Sequence, residues 1–180
     1  HRVIEPQGVL PQGALRLDNR MELWDNEILV DVETLNIDSA SFTQIRQQAG
    51  DDPDNIAQIM LDIVAERGKH HNPVTGSGGM FIGTVHSIGK ELQHKIDLKA
   101  GDRIASLVSL TLTPLVIEEI NAIHLHTAQV DIKGQAILFE KGIYAVLPED
   151  LPEKLALAAL DVAGAPAQTA KLVKPGDTVL

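Results

Sequence analysis

The sequence contains no cysteine. Disulfides, thiolate nucleophiles and Cys-bound zinc or iron–sulfur centres are therefore excluded. Aromatic residues make up only 3%: Trp24, Tyr144 and three Phe. The core must be aliphatic, and a nucleic-acid surface that stacks bases on aromatic rings is not expected. Long apolar runs are missing too. The longest, Leu155 to Leu160, is far too short to span a bilayer. Positive charge is in deficit, with 15 Lys and Arg against 25 Asp and Glu, a net charge of −10. That balance repels phosphate backbones and mildly favours cationic small molecules. The expectation is a soluble, cytoplasmic protein with no nucleic-acid or membrane partner.

What is present is ordinary for a globular chain: 180 residues, 44% hydrophobic and 22% charged, enough to bury a sizeable core. The chain begins at His1 without an initiator Met and stops inside Asp177-Thr178-Val179-Leu180, which reads as the opening of a strand. We expect a piece of a longer protein.

Residues 1–20 are rich in Pro, Gly and isolated apolar residues, which predicts an irregular segment with a short strand. Glu27 to Glu33 is β-branched and partly alternating, the mark of a strand, and turn-prone Asn36-Ile37-Asp38-Ser39 follows it. Ser41 to Gln48 predicts a short helix closed by Gly50. A longer helix is predicted from Pro53 to Arg67. Asp52 suits the N-cap and Pro53 the first helical position, where its missing N–H would be unpaired anyway. Ile56, Ile59, Met60, Ile63 and Val64 then share one face, and Gly68 ends the helix.

A polar, Gly-rich loop follows, Lys69-His70-His71-Asn72-Pro73-Val74-Thr75-Gly76-Ser77-Gly78-Gly79; loops of this length in compact domains often carry function. Strands are predicted at Met80 to Ile88, Arg103 to Leu110, Pro114 to Leu125, Gln129 to Lys133, Ala136 to Phe139 and Ile143 to Leu147. Lys133-Gly134 and Lys141-Gly142 punctuate them. Helices over Lys154 to Val162 and Gln168 to Val173 lead through Lys174-Pro175-Gly176-Asp177 into a final strand. Many short strands followed by a helical hinge predict a mainly β, barrel-like domain with flanking helices, joined to something else.

Three segments, in this order and spacing, resemble the medium-chain dehydrogenase/reductase family, whose catalytic domain is a GroES-like barrel. They are Glu27 to Val32 leading to Asn36-Ile37-Asp38; Gly83-Thr84-Val85-His86-Ser87-Ile88-Gly89 followed by Lys99-Ala100-Gly101-Asp102-Arg103-Ile104; and Leu147 to Pro152, Ala158-Ala159-Leu160 and Lys174 to Leu180. The resemblance implies a GroES-like catalytic domain over residues 1–150. Residues 151–180 would then be hinge helices and the first strand of a Rossmann domain. NAD would be bound mainly by that further domain, with Asn36, Val162 and Gly164 as the contacts from this chain. A homodimer is expected. The runs Leu35 to Thr43, Arg67 to Gly79 and Leu160 to Thr169 resemble a zinc-less branch within that family. That branch oxidises the 3-amino group of a small diamino acid to a 3-oxo group with release of ammonia, in amino-acid fermentation.

Zinc enzymes of the family hold their metal through a Cys after the first strand and a Gly-His-Glu motif before the second. Here those places carry Asp38 and Gly76-Ser77-Gly78, so the resemblance implies no zinc. An amine suits that loss, because its lone pair lets hydride depart without a Lewis acid to stabilise an alkoxide. Such a reaction needs a base for the ammonium and a group to face the cation. Asp38 is the first candidate for both roles; the alternative is an ordinary Asx-turn with Ser39 or Ala40. His71 is a candidate base and Ser77 a candidate for positioning water. Ser39, Ser41, Arg67, His70 and Gly78 are candidates for substrate binding, against the plainer readings of caps, turns and a solvated basic loop. Adjacent residues point in different directions, so at most one of His70 and His71 should face the site.

His124-Leu125-His126 would place two imidazoles on one strand face, but no third ligand is evident. Gly76, Gly78 and Gly79 lack the Lys-Ser/Thr and the following helix of a phosphate cradle. The remaining alternatives are another zinc-less reductase of quinone or enoyl type, and a non-catalytic GroES-like binding module.

Overall fold

In the computed structural model, which describes residues 2–148, 150, 152, 155, 156, 159, 160 and 164–178, the opening segment folds back on itself. Strands β1 (Val3–Glu5) and β2 (Arg16–Leu17) pair antiparallel around a 3-10 turn at Pro11–Gly13. Arg2 anchors the segment. Its guanidinium grips the Glu27 carboxylate with two hydrogen bonds of 2.8 and 2.7 Å, donates to the carbonyls of Arg20 and Glu22, and lies 4.6 Å from the Trp24 ring centre. Both charged side chains are buried, so each depends on the other to offset its lost hydration.

β3 (Glu27–Ile37) runs four residues past the predicted end at Glu33. Ile28, Val30 and Val32 point into the core, and then Leu35 and Ile37 do. Pairing with both neighbouring strands shifts register between Val32 and Thr34. This bulge adds one residue and moves the buried set from even to odd positions. Asn36 and Ile37, expected in a turn, therefore stay in the ladder.

β4 (Gly79–Ile88), β5 (Arg103–Ser106), β6 (Leu115–His124), β7 (Gln129–Phe139) and β8 (Tyr144–Val146) complete an antiparallel sheet in the order β6-β7-β3-β4-β5-β8. The architecture is mainly β with few helices. β7 is one strand where two are predicted. Gly134 does not break it; it sits where β6 comes so close that a Cβ would lie 2.3 Å from the Val116 carbonyl oxygen. β5 ends four residues short of Leu110, and the chain passes instead into a 3-10 turn at Leu110–Leu112. β6 ends at His124, whose Nε2 meets Asp131 Oδ2 at 2.7 Å. Leu125 and His126 lie in the following turn, so the shared strand face for His124 and His126 does not form.

α1 (Ser39–Ala49) starts two residues earlier than predicted, and α2 (Pro53–Arg67) matches its prediction. The Asp52 carboxylate accepts from the backbone N–H groups of Asp54 and Asn55, as an N-cap should. Phe42, Ile45 and Ala49 of α1 and Ile56, Met60, Ile63 and Val64 of α2 join the β3, β4 and β7 side chains in one aliphatic core. α3 (Gly164–Leu172) begins four residues before the predicted Gln168 and buries no residue. The helix predicted over Lys154 to Val162 falls largely on residues outside the described set. Asp177 closes the expected turn onto Lys174, but Asp177 and Thr178 are not in a strand, and Val179 and Leu180 are not described. Among the described residues no helix is long and apolar enough to cross a membrane.

Candidate active site

The bulged β3 delivers Asp38 to the mouth of a cleft of about 240 Å³. Ile37 pairs with Gly79 at the end of the β3–β4 ladder, and the next residue, Asp38, donates its N–H to the Gly78 carbonyl at 3.1 Å. Asp38 and the end of the Gly-rich loop are thereby held together. This closeness needs glycine: a Cβ on Gly79, whose φ is +133°, would lie 2.0 Å from the Asn36 carbonyl oxygen. Asp38 occupies the N-cap position of α1, yet its carboxylate caps no backbone N–H. The Asx-turn alternative thus has no hydrogen bond here, and an exposed carboxylate is left facing the cleft. Gly79 and Met80 form one wall beside it. Leu107, Val108, Ser109 and Leu160 also line the cleft.

The loop before β4 is folded around Asn72, which is buried. Its Nδ2 donates to the Ser41 hydroxyl (3.1 Å) and to Gln44 Oε1 (2.8 Å), while its Oδ1 accepts from the N–H groups of Val74 and Thr75. Asn72 N–H also donates to Ser77 O at 3.0 Å, so the two ends of the loop run side by side. Ser41 is buried as the partner of Asn72 and does not line the cleft. Ser39 is exposed as the first residue of α1, next to Asp38. Ser77 is half-buried, its hydroxyl 2.8 Å from that of Thr75. Gly78 is buried; a Cβ there would strike the His70 carbonyl and the Thr111 N–H, both at 2.9 Å.

The basic stretch divides. Arg67, at the end of α2, lines a different cavity with Glu5, Leu15, Arg16 and Glu66. Lys69 is wholly buried, its Nζ donating to the Pro11 carbonyl at 2.8 Å, and desolvation together with the Arg67 charge lowers its pKa to about 8. His70 is wholly buried with neither ring nitrogen hydrogen-bonded to another residue. Burial, only partly offset by its own backbone, pushes it down to about 4. His71 is half-buried, and burial, then the charges of Lys69 and Arg67, lower its pKa. Both imidazoles are therefore neutral near pH 7, and neither lines the Asp38 cleft.

Of the expected cofactor contacts, Asn36 is 8% exposed and sits in β3 between Gln129 and Met80. Gly164 is the exposed first residue of α3, and Val162 lies outside the described residues. The loop glycines run into β4, a strand, so they do not build the strand-to-helix phosphate turn of a dinucleotide site. Among the described residues no three His, Asp or Glu side chains gather closely enough to hold a metal ion.

Sequence places Leu107 to Ser109 in a strand and does not mark them as cleft residues. Their signal lies in Ser106-Leu107-Val108-Ser109-Leu110-Thr111-Leu112-Thr113, where hydroxyls recur just after a strand. Such residues turn the chain by bonding nearby backbone. Here Ser106 Oγ bonds both N–H and C=O of Val108 at 3.1 Å, and Thr113 Oγ1 donates to Ser109 O at 3.0 Å.

Residues 1–148 match the family described as the L-erythro-3,5-diaminohexanoate dehydrogenase N-terminal domain. A protein named L-erythro-3,5-diaminohexanoate dehydrogenase from Acetoanaerobium sticklandii is 67% identical over 180 residues, covering 100% of this chain and 52% of its own length. One of the same name from Fusobacterium nucleatum subsp. nucleatum is 66% identical over 179 residues, covering 99% and 52%. The chain thus spans about half the length of the curated relatives it matches. Among solved structures, the CurF ER cyclopropanase of curacin A biosynthesis overlaps with a TM-score of 0.44 at 16% identity, covering 98% of this chain and 44% of that one. Escherichia coli quinone oxidoreductase complexed with NADPH overlaps at 0.35 and 18%, covering 91% and 38%. These overlaps are too loose to equate any site.

Proposed function

The chain belongs to the family of L-erythro-3,5-diaminohexanoate dehydrogenase N-terminal domains, and from that membership we propose that it supplies the substrate side of an oxidative deamination. The complete protein would convert L-erythro-3,5-diaminohexanoate to 5-amino-3-oxohexanoate and ammonia with NAD as oxidant and no zinc. The described residues form no dinucleotide cradle, so NAD would be held mainly by the half of the relatives' length that this chain does not cover. In this reading residues 1–150 are a GroES-like domain followed by a hinge, and the protein works as a homodimer in the cytoplasm.

The observation that carries the proposal is the uncapped Asp38 carboxylate on the wall of a small cleft. A carboxylate there does two things for an amine. It accepts the proton of the 3-ammonium, exposing the nitrogen lone pair, passes that proton on to the solvent it is exposed to, and as a carboxylate again faces the cationic carbon–nitrogen unit left when hydride departs to NAD. Ser77, next to the Gly78 carbonyl that accepts from Asp38 N–H, would orient the water that hydrolyses the iminium.

The test is a turnover assay on the complete protein with NAD. The diamino acid should give NADH and ammonia in equal amounts, and a quinone offered with NADH should not be reduced. Quinone reduction without diamino-acid oxidation would replace this reading with the reductase alternative.

A further inference from the structure

Ser109 stands on the same cleft as Asp38, and its hydrogen bonds restrict what it can bind. Its Oγ accepts from Thr111 N–H at 3.2 Å and from Thr111 Oγ1 at 3.0 Å. A hydroxyl oxygen has two lone pairs and one proton. With both lone pairs occupied, only the proton is left to offer, and none of the described residues accepts it. Ser109 thus has a proton to donate, while the Asp38 carboxylate supplies acceptor oxygens. The cleft so presents one site for a cation and one for an anion or carbonyl, set among Gly79 and apolar side chains. An ammonium could not use Ser109, because the oxygen has no lone pair to spare.

We infer that Ser109 binds the C1 carboxylate of the substrate through a charge-assisted hydrogen bond while Asp38 holds the 3-ammonium. This rests on the reading of the substrate as a 3-amino acid given above. In such a molecule a single methylene separates the amine-bearing carbon from the carboxylate, so both groups fit one small cleft and bind opposite partners at once. The pair also sets the direction of the substrate. The 5-ammonium end finds no acceptor at Ser109, so the 3-amino group, not the 5-amino group, is the one brought to Asp38.

The experiment compares the complete wild-type protein with Ser109→Ala and Thr111→Val on two compounds. One is L-erythro-3,5-diaminohexanoate. The other is 2,4-diaminopentane, the same molecule without its carboxylate, used as substrate or as competitive inhibitor. Ser109→Ala should raise KM for the diamino acid about ten- to a hundred-fold, the loss of one hydrogen bond to a charged group, with kcat little changed. Its affinity for 2,4-diaminopentane should stay that of wild type. Thr111→Val removes the bond from Thr111 Oγ1 that helps fix Ser109 as a donor but keeps the Ser109 hydroxyl, and should raise KM for the diamino acid less than Ser109→Ala does. A wild-type KM in Ser109→Ala would overturn the inference, as would equal losses on both compounds, which would mark Ser109 as a support of the turn. If wild type turns over no diamino acid, the functional reading itself falls and the Ser109 role with it.

Discussion

His70 was expected at the substrate and is found inside the protein, wholly buried and with neither ring nitrogen hydrogen-bonded to another residue. Its polar ring is tolerated there because it stays neutral: burial holds its pKa near 4, against an ordinary value of 6.5. In the unfolded chain the ring takes up a proton as pH falls through 6.5, whereas in the folded protein it does so only near 4. The unfolded state therefore binds more protons across that window. The stabilisation is fully present above 6.5 and is lost as pH falls toward 4, by about 3 kcal/mol in all. Replacing His70 with Leu should flatten the dependence of the melting midpoint on pH between 6.5 and 4. A variant that keeps the wild-type slope would show that another group carries the acid sensitivity. Two neighbouring histidines look equivalent in sequence; only the packing separates a buried ring from a half-buried one.

At the scale of elements, the β3–α1 junction is where the site is made. β3 reaches Asp38 only because the bulge near Glu33 lets the ladder continue to Ile37. That same bulge interrupts the alternation of apolar residues, which is why Glu27 to Glu33 reads as the whole strand. Gly79 closes the junction from the β4 side. Alanine there would have to adopt φ +133° and would press its Cβ against the Asn36 carbonyl. We expect Gly79→Ala to cost about 1–3 kcal/mol in stability and to lower kcat/KM as well, since Ile37 and Asp38 must move with the strained ladder. Thermal melting and steady-state kinetics check both parts; an unchanged kcat/KM would mean that Asp38 is not held by this junction. α2 behaves differently. Asp52, Pro53 and Gly68 signal its ends through purely local chemistry, so sequence alone places it correctly. β7 lies between these cases. Gly134 reads locally as a break, and only the approach of β6 reveals it as the residue that lets the strand pass.

At the scale of the whole molecule, the cleft joins segments far apart in the chain: Asp38, Gly79–Met80, Leu107–Ser109 and Leu160. Asp38 was marked in the sequence by the family resemblance, and the Gly-rich loop by its length and polarity. Ser109 was not, since a hydroxyl in a turn carries no mark of the wall it will join. Under the proposed function Asp38 acts directly on the substrate amine. The most direct measurement is the rate of NADH formation from L-erythro-3,5-diaminohexanoate by the complete protein carrying Asp38→Asn. Because the carboxylate caps no backbone N–H of α1, the variant should melt close to wild type while kcat falls about 10²- to 10⁴-fold, the range for loss of a general base. Turnover at the wild-type rate would contradict the account.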